Sequence, residues 1–372
     1  MPGYNLSWLV WVALVPLFFS LRGVCAVPAF GLGLVFGLTI AVAILCWMPA
    51  TCLAMGYSLP FSVAAFVCCT LYYSIFAGIF AAAGAMCIDR CRDGKYLHLM
   101  LVLPATWALL EIVQSRLMPG IPYTFIFLGC SQWSVAPVLQ VCSITGLHGL
   151  SFLIVLVNAA IFCALRYRKP LPAVIAAAVM AVVCGHGLMR MPPVDPSAPR
   201  RIRVAMLNAE ISGADKWDRA RSAQLAERYL ELNRQAAEKR PDLIVWSETA
   251  IPWTMSEDDD LLEAVLQVTY PVKASHIVGI PVPAPGTAGE LHNAALFIEP
   301  DGRISGQYNK IQLLAETEAN GYAGDQGASA TSAASGQYIP GPKQEVASTP
   351  FGNIGFAICN QYCPVNQPVL NG

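Results

Sequence analysis

Leu243-Ile244-Val245-Trp246-Ser247-Glu248 sets a short continuous apolar run, entered from Pro241-Asp242, directly against a carboxylate. A run of that length behind a helix-breaking proline reads as a strand buried on both faces, inside a layered α/β domain. Two other runs end in the same way. A strand-like segment leads through Tyr308-Asn309 to Lys310, and Asn353-Ile354-Gly355-Phe356-Ala357-Ile358 closes on Cys359. A carboxylate, an amine and a thiol, each just past a predicted strand, can meet at one edge of a sheet. Such a trio supplies a proton carrier, a cation for a developing oxyanion and a nucleophile.

Around these runs the pattern alternates. Ile202–Leu207 predicts a strand, and Asp218–Lys239 predicts a helix, with Ala220, Leu225, Ala226, Tyr229, Leu230 and Leu232 recurring at helical spacing among charges. Leu261–Val268 predicts a second helix, His276–Ile280 and Ala294–Ile298 further strands, and Glu299-Pro300-Asp301-Gly302 a hairpin turn. Gly321–Gly336, rich in Ala, Ser and Gly, reads as a mobile surface loop. Strand, helix, strand, helix, strand, hairpin is the order of an α/β layered domain, expected over 204–372.

What precedes this domain is a different material. Residues 1–190 carry nine Lys/Arg and three Asp/Glu, whereas 191–372 carry fourteen and twenty-one, so the two parts bear +6 and −7. The first belongs in lipid and the second in water. Six apolar windows, about 6–21, 27–50, 61–86, 97–113, 147–165 and 171–189, predict six crossing helices. No basic segment precedes the first window, as a secretory signal would require. A Pro-rich linker at 191–203 separates the two parts.

The connecting loops orient the chain. Arg22, then Arg90, Arg92 and Lys95, then Arg166, Arg168 and Lys169 follow the odd windows, while the alternate loops hold only Arg116. This bias places the 191–372 part outside the cytoplasm. The apolar stretch 114–146, including Gly120-Ile121-Pro122-Tyr123, is expected to be a re-entrant or interfacial element. Glu111 reads either as a functional carboxylate within a crossing helix or as a surface group paired with Arg116. Eleven of the thirteen cysteines lie in the apolar part at irregular spacing and are expected to be small core residues. No spacing suits zinc, no cofactor is expected, and no basic stretch suits nucleic acid. A nucleophile trio joined to a membrane anchor points to acyl chemistry on lipid.

The three signatures Trp246-Ser247-Glu248-Thr249-Ala250-Ile251-Pro252, Tyr308-Asn309-Lys310 and Gly355-Phe356-Ala357-Ile358-Cys359 resemble those of nitrilase-type carbon-nitrogen hydrolases. Their attachment to a membrane bundle resembles the bacterial apolipoprotein N-acyltransferases. Trp107 to Glu111, Gly120 to Tyr123, Gly129-Cys130-Ser131-Gln132 and Gly149-Leu150-Ser151-Phe152 through Asn158-Ala159 are similar to that family's membrane part. The resemblance implies a helical membrane bundle followed by a four-layer αββα sandwich, in the bacterial inner membrane with the sandwich on the outer, periplasmic face. It implies Cys359 as nucleophile, Glu248 as general base and acid, and Lys310 as oxyanion stabiliser. Trp217, Glu318 and Gln361 fall at positions of substrate contact. The implied reaction takes an acyl chain from a phospholipid donor to the N-terminal amine of a diacylated lipoprotein through a cysteine thioester.

The chain departs from the family at three points. Cys-aromatic-Glu becomes Cys359-Asn360-Gln361, a membrane helix before the 7–21 match is lacking, and only thirteen residues follow Cys359. The sandwich is therefore expected to be C-terminally incomplete, in a fragment or a degenerate paralogue. Two other readings stay open: an amidase or nitrilase-type hydrolase in which water takes the acyl group, and a silent membrane protein that binds lipid or lipoprotein.

Overall fold

The computed structural model describes residues 6–54, 57–91, 96–117, 126–191, 202–211, 213–216, 218–254, 260–286, 289–313, 337–343 and 346–359. The chain divides into two compact units, one of Met1–Asp195 with Val365–Gly372 and the other of Pro196–Pro364.

The first unit is helical. A 3-10 turn at Ser7–Trp11 precedes α1 (Val15–Ser20), α2 (Ala26–Leu45), α3 (Met48–Ala54), α4 (Leu59–Arg90) and α5 (Leu99–Leu117). There follow α6 (Ala136–Leu139), α7 (Cys142–Tyr167) and α8 (Leu171–Arg190). Among the described residues five helical stretches are long and apolar enough to cross a membrane, α5 counted from its leading turn at Tyr96; Ser7–Ser20 is shorter. The windows from 27 onward thus correspond to α2, α4, α5, α7 and α8.

Backbone contact rather than large side chains joins α2 to α4. Gly33, Gly37 and Ala41 recur every four residues on α2 and are buried. A Cβ on Gly33 would collide with Ala77 O and Ala81 Cβ, and one on Gly37 would lie 2.7 Å from Ala77 Cβ. In lipid there is no hydrophobic force between helices, so close approach of small residues supplies the dispersion contact. The cysteines follow the same logic. Cys163 is buried, whereas Cys25, Cys46 and Cys68 are exposed, which corrects the expectation of eleven core cysteines. A bilayer is itself an apolar solvent, so an apolar side chain need not face inward there.

Glu111 is buried at 5 % exposure. It accepts from Trp107 Nε1 at 2.8 Å and Leu128 N at 3.1 Å, and its Oε2 lies 3.3 Å from His148 Nδ1. These partners, and not Arg116, hold the carboxylate. It borders a cavity of about 80 Å³ lined by α2, α4 and α5, with Phe36, Tyr73 and Phe80 on its walls. Part of the 114–146 stretch, including the quoted Gly120–Tyr123, lies outside the described residues. The remainder forms a 3-10 turn at Leu128–Gln132, α6 and the start of α7, where Gly146 breaks the helix at φ 66°.

The second unit is α/β. Strands β1 (Val204–Met206), β2 (Leu243–Val245), β3 (Ser275–Pro283), β4 (Glu290–Ile298) and β5 (Ile304–Asn309) lie side by side in that order, with β6 (Gln337–Tyr338) beside β4. β1, β2 and β3 are parallel, whereas β3, β4 and β5 form antiparallel hairpins. The short α9 (Gly213–Lys216) and then α10 (Ser222–Glu238) connect β1 to β2, and α11 (Asp260–Thr269) connects β2 to β3, as parallel pairing demands. β7 (Val346–Thr349) and β8 (Gly352–Gly355) form a separate two-stranded sheet. β8 therefore does not join the edge of the main sheet that the sequence pattern suggests for it.

Alternation sorts the two faces. Ile244, Trp246, Val278, Ile280, Leu296 and Ile298 pack with Leu225 and Tyr229 of α10 and Leu262 and Val265 of α11. The odd-numbered Leu243, Ala295 and Phe297 pack with Tyr308, Ala347, Phe356 and Ile358 beneath the small sheet. Helices, main sheet and small sheet are three consecutive layers of the expected sandwich. β2, buried on both sides, needs its uninterrupted apolar run. Gly321–Gly336 lies outside the described residues.

His276 on β3 is 1 % exposed. Thr269 Oγ1 donates to Val265 O at 3.0 Å and so accepts from His276 Nε2–H at 3.0 Å, while Nδ1 has no hydrogen-bond partner among the described residues. Burial pushes the imidazole down from 6.5 to about 4, because its charged form would lose hydration. The unfolded chain then binds a proton that the folded unit excludes. Stability is therefore full above about pH 6.5 and falls as pH drops toward about 4, by roughly 3 kcal/mol in total. Chemical denaturation at about pH 7.5 and about pH 4.5 should register that loss, and His276→Gln, whose amide can still donate to Thr269, should shrink it markedly.

Candidate active site

Glu248 stands where β2 runs out. Trp246 N–H extends the pairing by donating to Ile277 O at 2.8 Å, and its ring stacks on Tyr229 with centroids 4.6 Å apart. Tyr229 Oη lies 3.0 Å from Ser247 Oγ. The chain then turns at Thr249, whose φ is 45°, and Ala250 N–H donates to Gly279 O at 2.6 Å. Gly279 makes this return feasible, since a Cβ there would lie 2.5 Å from Ser247 O and 3.0 Å from Glu248 Cα. A strand, a stacked ring pair and a glycine-sized gap thus fix one carboxylate.

Lys310 follows β5. Its N–H donates to Asn293 O at 2.8 Å, and its own carbonyl accepts from Gly341 N–H at 2.8 Å. The side chain enters the protein, and the residue as a whole is 1 % exposed. Nζ lies 3.1 Å from Glu248 Oε1, the same oxygen that accepts from Asn293 Nδ2 at 2.9 Å. The pair is asymmetric, because the Lys310 side chain is 2 % exposed and the Glu248 side chain 35 %. One oxygen is held by an ammonium and an amide while the carboxylate keeps a solvent-facing side.

Cys359 follows β8. Phe356 and Ile358 point into the core between the sheets, so strand-like alternation turns Ala357 and Cys359 outward. The thiol is exposed, and its residue adopts φ 49°, in the left-handed region rarely used by residues with a Cβ. Strained backbone of this kind clusters at functional sites. Trp217, Glu318 and Gln361 lie outside the described residues, as does Cys363. Among the described residues no three metal-ligating side chains stand together.

Sequence reading missed two contributors. Asn293 is 3 % exposed within β4, and its signal was a polar residue inside an otherwise apolar strand. Lys216 donates from Nζ to the Glu248 main-chain carbonyl at 3.2 Å. Its only visible signal was its place beside Trp217.

The N-terminal domain model of the apolipoprotein N-acyltransferases matches residues 1–160, and the carbon-nitrogen hydrolase model matches 203–363. The chain belongs to the apolipoprotein N-acyltransferase family. An apolipoprotein N-acyltransferase from Geobacter metallireducens is 28 % identical over 369 residues, covering 96 % of this chain and 69 % of the relative. One from Shewanella oneidensis is 28 % identical over 226 residues, covering 60 % of this chain and 42 % of its own length. The chain therefore spans between about two fifths and about two thirds of these members of the family. Among solved structures, an amidase from Nesterenkonia sp. aligns at 13 % identity and TM-score 0.27, covering 40 % of this chain and 51 % of its own.

The exposure difference within the ion pair gives a stability test. Glu248→Ala takes the facing carboxylate from a buried ammonium and should cost about 3 kcal/mol, whereas Lys310→Met leaves a carboxylate that solvent can reach and should cost about 1. Asn293→Ala should fall between them, at about 2 kcal/mol for a hydrogen bond to a charged group. Denaturant midpoints of the three variants check that order.

Proposed function

We propose that this chain carries a fatty acyl group from a phospholipid to the N-terminal amine of a diacylglyceryl-cysteine lipoprotein, through a thioester on Cys359. The observation that carries this reading is the buried Lys310 ammonium 3.1 Å from the Glu248 carboxylate, in a chain whose described residues also include five membrane-length apolar helices.

In the proposed sequence Glu248 takes the thiol proton of Cys359, and the thiolate attacks the donor ester carbonyl. Lys310 favours the anionic sulfur and then the tetrahedral oxyanion. Collapse breaks the ester C–O bond, and the proton on Glu248 passes to the departing lysophospholipid hydroxyl. The neutral amine of the acceptor then attacks the thioester carbonyl. Glu248 takes one amine proton and returns it to the leaving sulfur, which restores the thiol and leaves an amide. Two substrates that visit one thiol in turn predict ping-pong kinetics. Confinement of both lipids to one leaflet raises their effective concentration at the site. Trp217, Glu318 and Gln361 are proposed to contact substrate.

The arginine and lysine pattern supports placing the second unit outside the cytoplasm, in a bacterial inner membrane. Five crossings beginning on the Arg22 side leave the chain beyond Arg190 on the opposite side, whether or not Ser7–Ser20 also spans.

Purified chain mixed with phospholipid vesicles and a diacylated lipopeptide should yield a triacylated peptide by mass spectrometry. A Cys359-linked acyl group should accumulate when acceptor is withheld. Cys359→Ala should lower transfer by about a thousandfold or more. Free fatty acid without acylated peptide would replace this reading with a hydrolase, and no product of either kind would leave a silent binder.

A further inference from the structure

We propose that Lys216 is a positioning residue for the Glu248 carboxylate: its ammonium latches the α9 turn onto the main chain of the acid-base residue. This inference rests on the proposed role of Glu248. Lys310 and Asn293 hold only one side-chain oxygen of Glu248, at 3.1 and 2.9 Å. A carboxylate fixed at one tip can still swing if its backbone moves. Lys216 closes that freedom from the other end, by donating to the Glu248 carbonyl at 3.2 Å just before the φ 45° turn at Thr249.

The latch is itself braced. Asp215, next to Lys216 on α9, pairs with Arg221 Nη1 at 2.6 Å, and Arg221 Nε lies 3.6 Å from Asp218. The acidic neighbour on the turn thus pairs with a cation, and the Glu248 charge acts on the Lys216 ammonium. Burial lowers the Lys216 pKa, and the Glu248 charge works against that lowering. The two groups are therefore coupled through charge as well as through the hydrogen bond. Two lysines of unlike exposure thus act on one residue, Lys310 on its carboxylate from within the core and half-buried Lys216 on its main chain from α9.

Two measurements test this. In the acyl-transfer assay Lys216→Met should reduce kcat by about 10- to 100-fold with KM for donor and acceptor little changed, as expected when a reacting group is misplaced by an ångström or less. Lys216→Arg should recover most of kcat and carry the alkaline limb of its pH profile upward, because a guanidinium stays charged. Separately, carbon-13 NMR of lysine Cε, with the Lys216 signal assigned by Lys216→Arg, follows its titration without turnover. Glu248→Gln should move that titration to lower pH. An unmoved titration, or wild-type kcat in Lys216→Met, overturns the proposal. Absence of acyl transfer by the wild-type chain would instead sink the catalytic reading of Glu248, and the NMR titration would still decide whether the latch exists.

Discussion

An ammonium taken out of water must be met by a carboxylate and by hydrogen-bond acceptors, or it will not stay charged. Lys310, 1 % exposed, imposes that constraint on the second unit. Its amide is tied to Asn293 and its carbonyl to Gly341, which fixes the main chain from which the side chain enters. Glu248 must then arrive from another strand at hydrogen-bond distance, which accounts for the tight turn at Thr249 and the missing Cβ at Gly279. Asn293 completes the arrangement from β4, one of the two strands between them. Each of these positions loses its purpose if the lysine is removed.

The partial exposure of Glu248 gives the pair its chemical direction. A fully enclosed carboxylate could balance the lysine but could not exchange protons with a substrate. With one oxygen anchored and a side open to solvent, the same group balances the lysine and still meets water, as the proposed proton carrier must. Cys359 has the complementary character: an exposed thiol on strained backbone, anchored by Phe356 and Ile358 in the core between the sheets.

The membrane unit answers a different constraint. Lipid solvates its apolar side chains, so its internal packing depends on backbone approach at Gly33 and Gly37 and on satisfying polar groups such as Glu111. Glu111 binds Trp107, Leu128 N and His148, which converts a lone carboxylate into a tie between α5 and the segments around it. Neither feature contributes to hydropathy, which is why a hydropathy reading finds the helices but not their seams.

The sequence by itself determined the two materials, five of the apolar helices, the order of β1 to β5 with α10 and α11 between them, and Glu248, Lys310 and Cys359 as residues placed just past strands or strand-like runs. Those are properties of local pattern: apolar run length, helical period, turn chemistry and charge count. Tertiary structure alone decided that β8 belongs to a second sheet, that Glu111 pairs away from Arg116, and that Asn293 and Lys216 converge on Glu248 from 45 and 32 residues away in sequence. Hydrogen bonds across such separations depend on sheet register and crossover path, and neither is encoded in the residues immediately around a side chain.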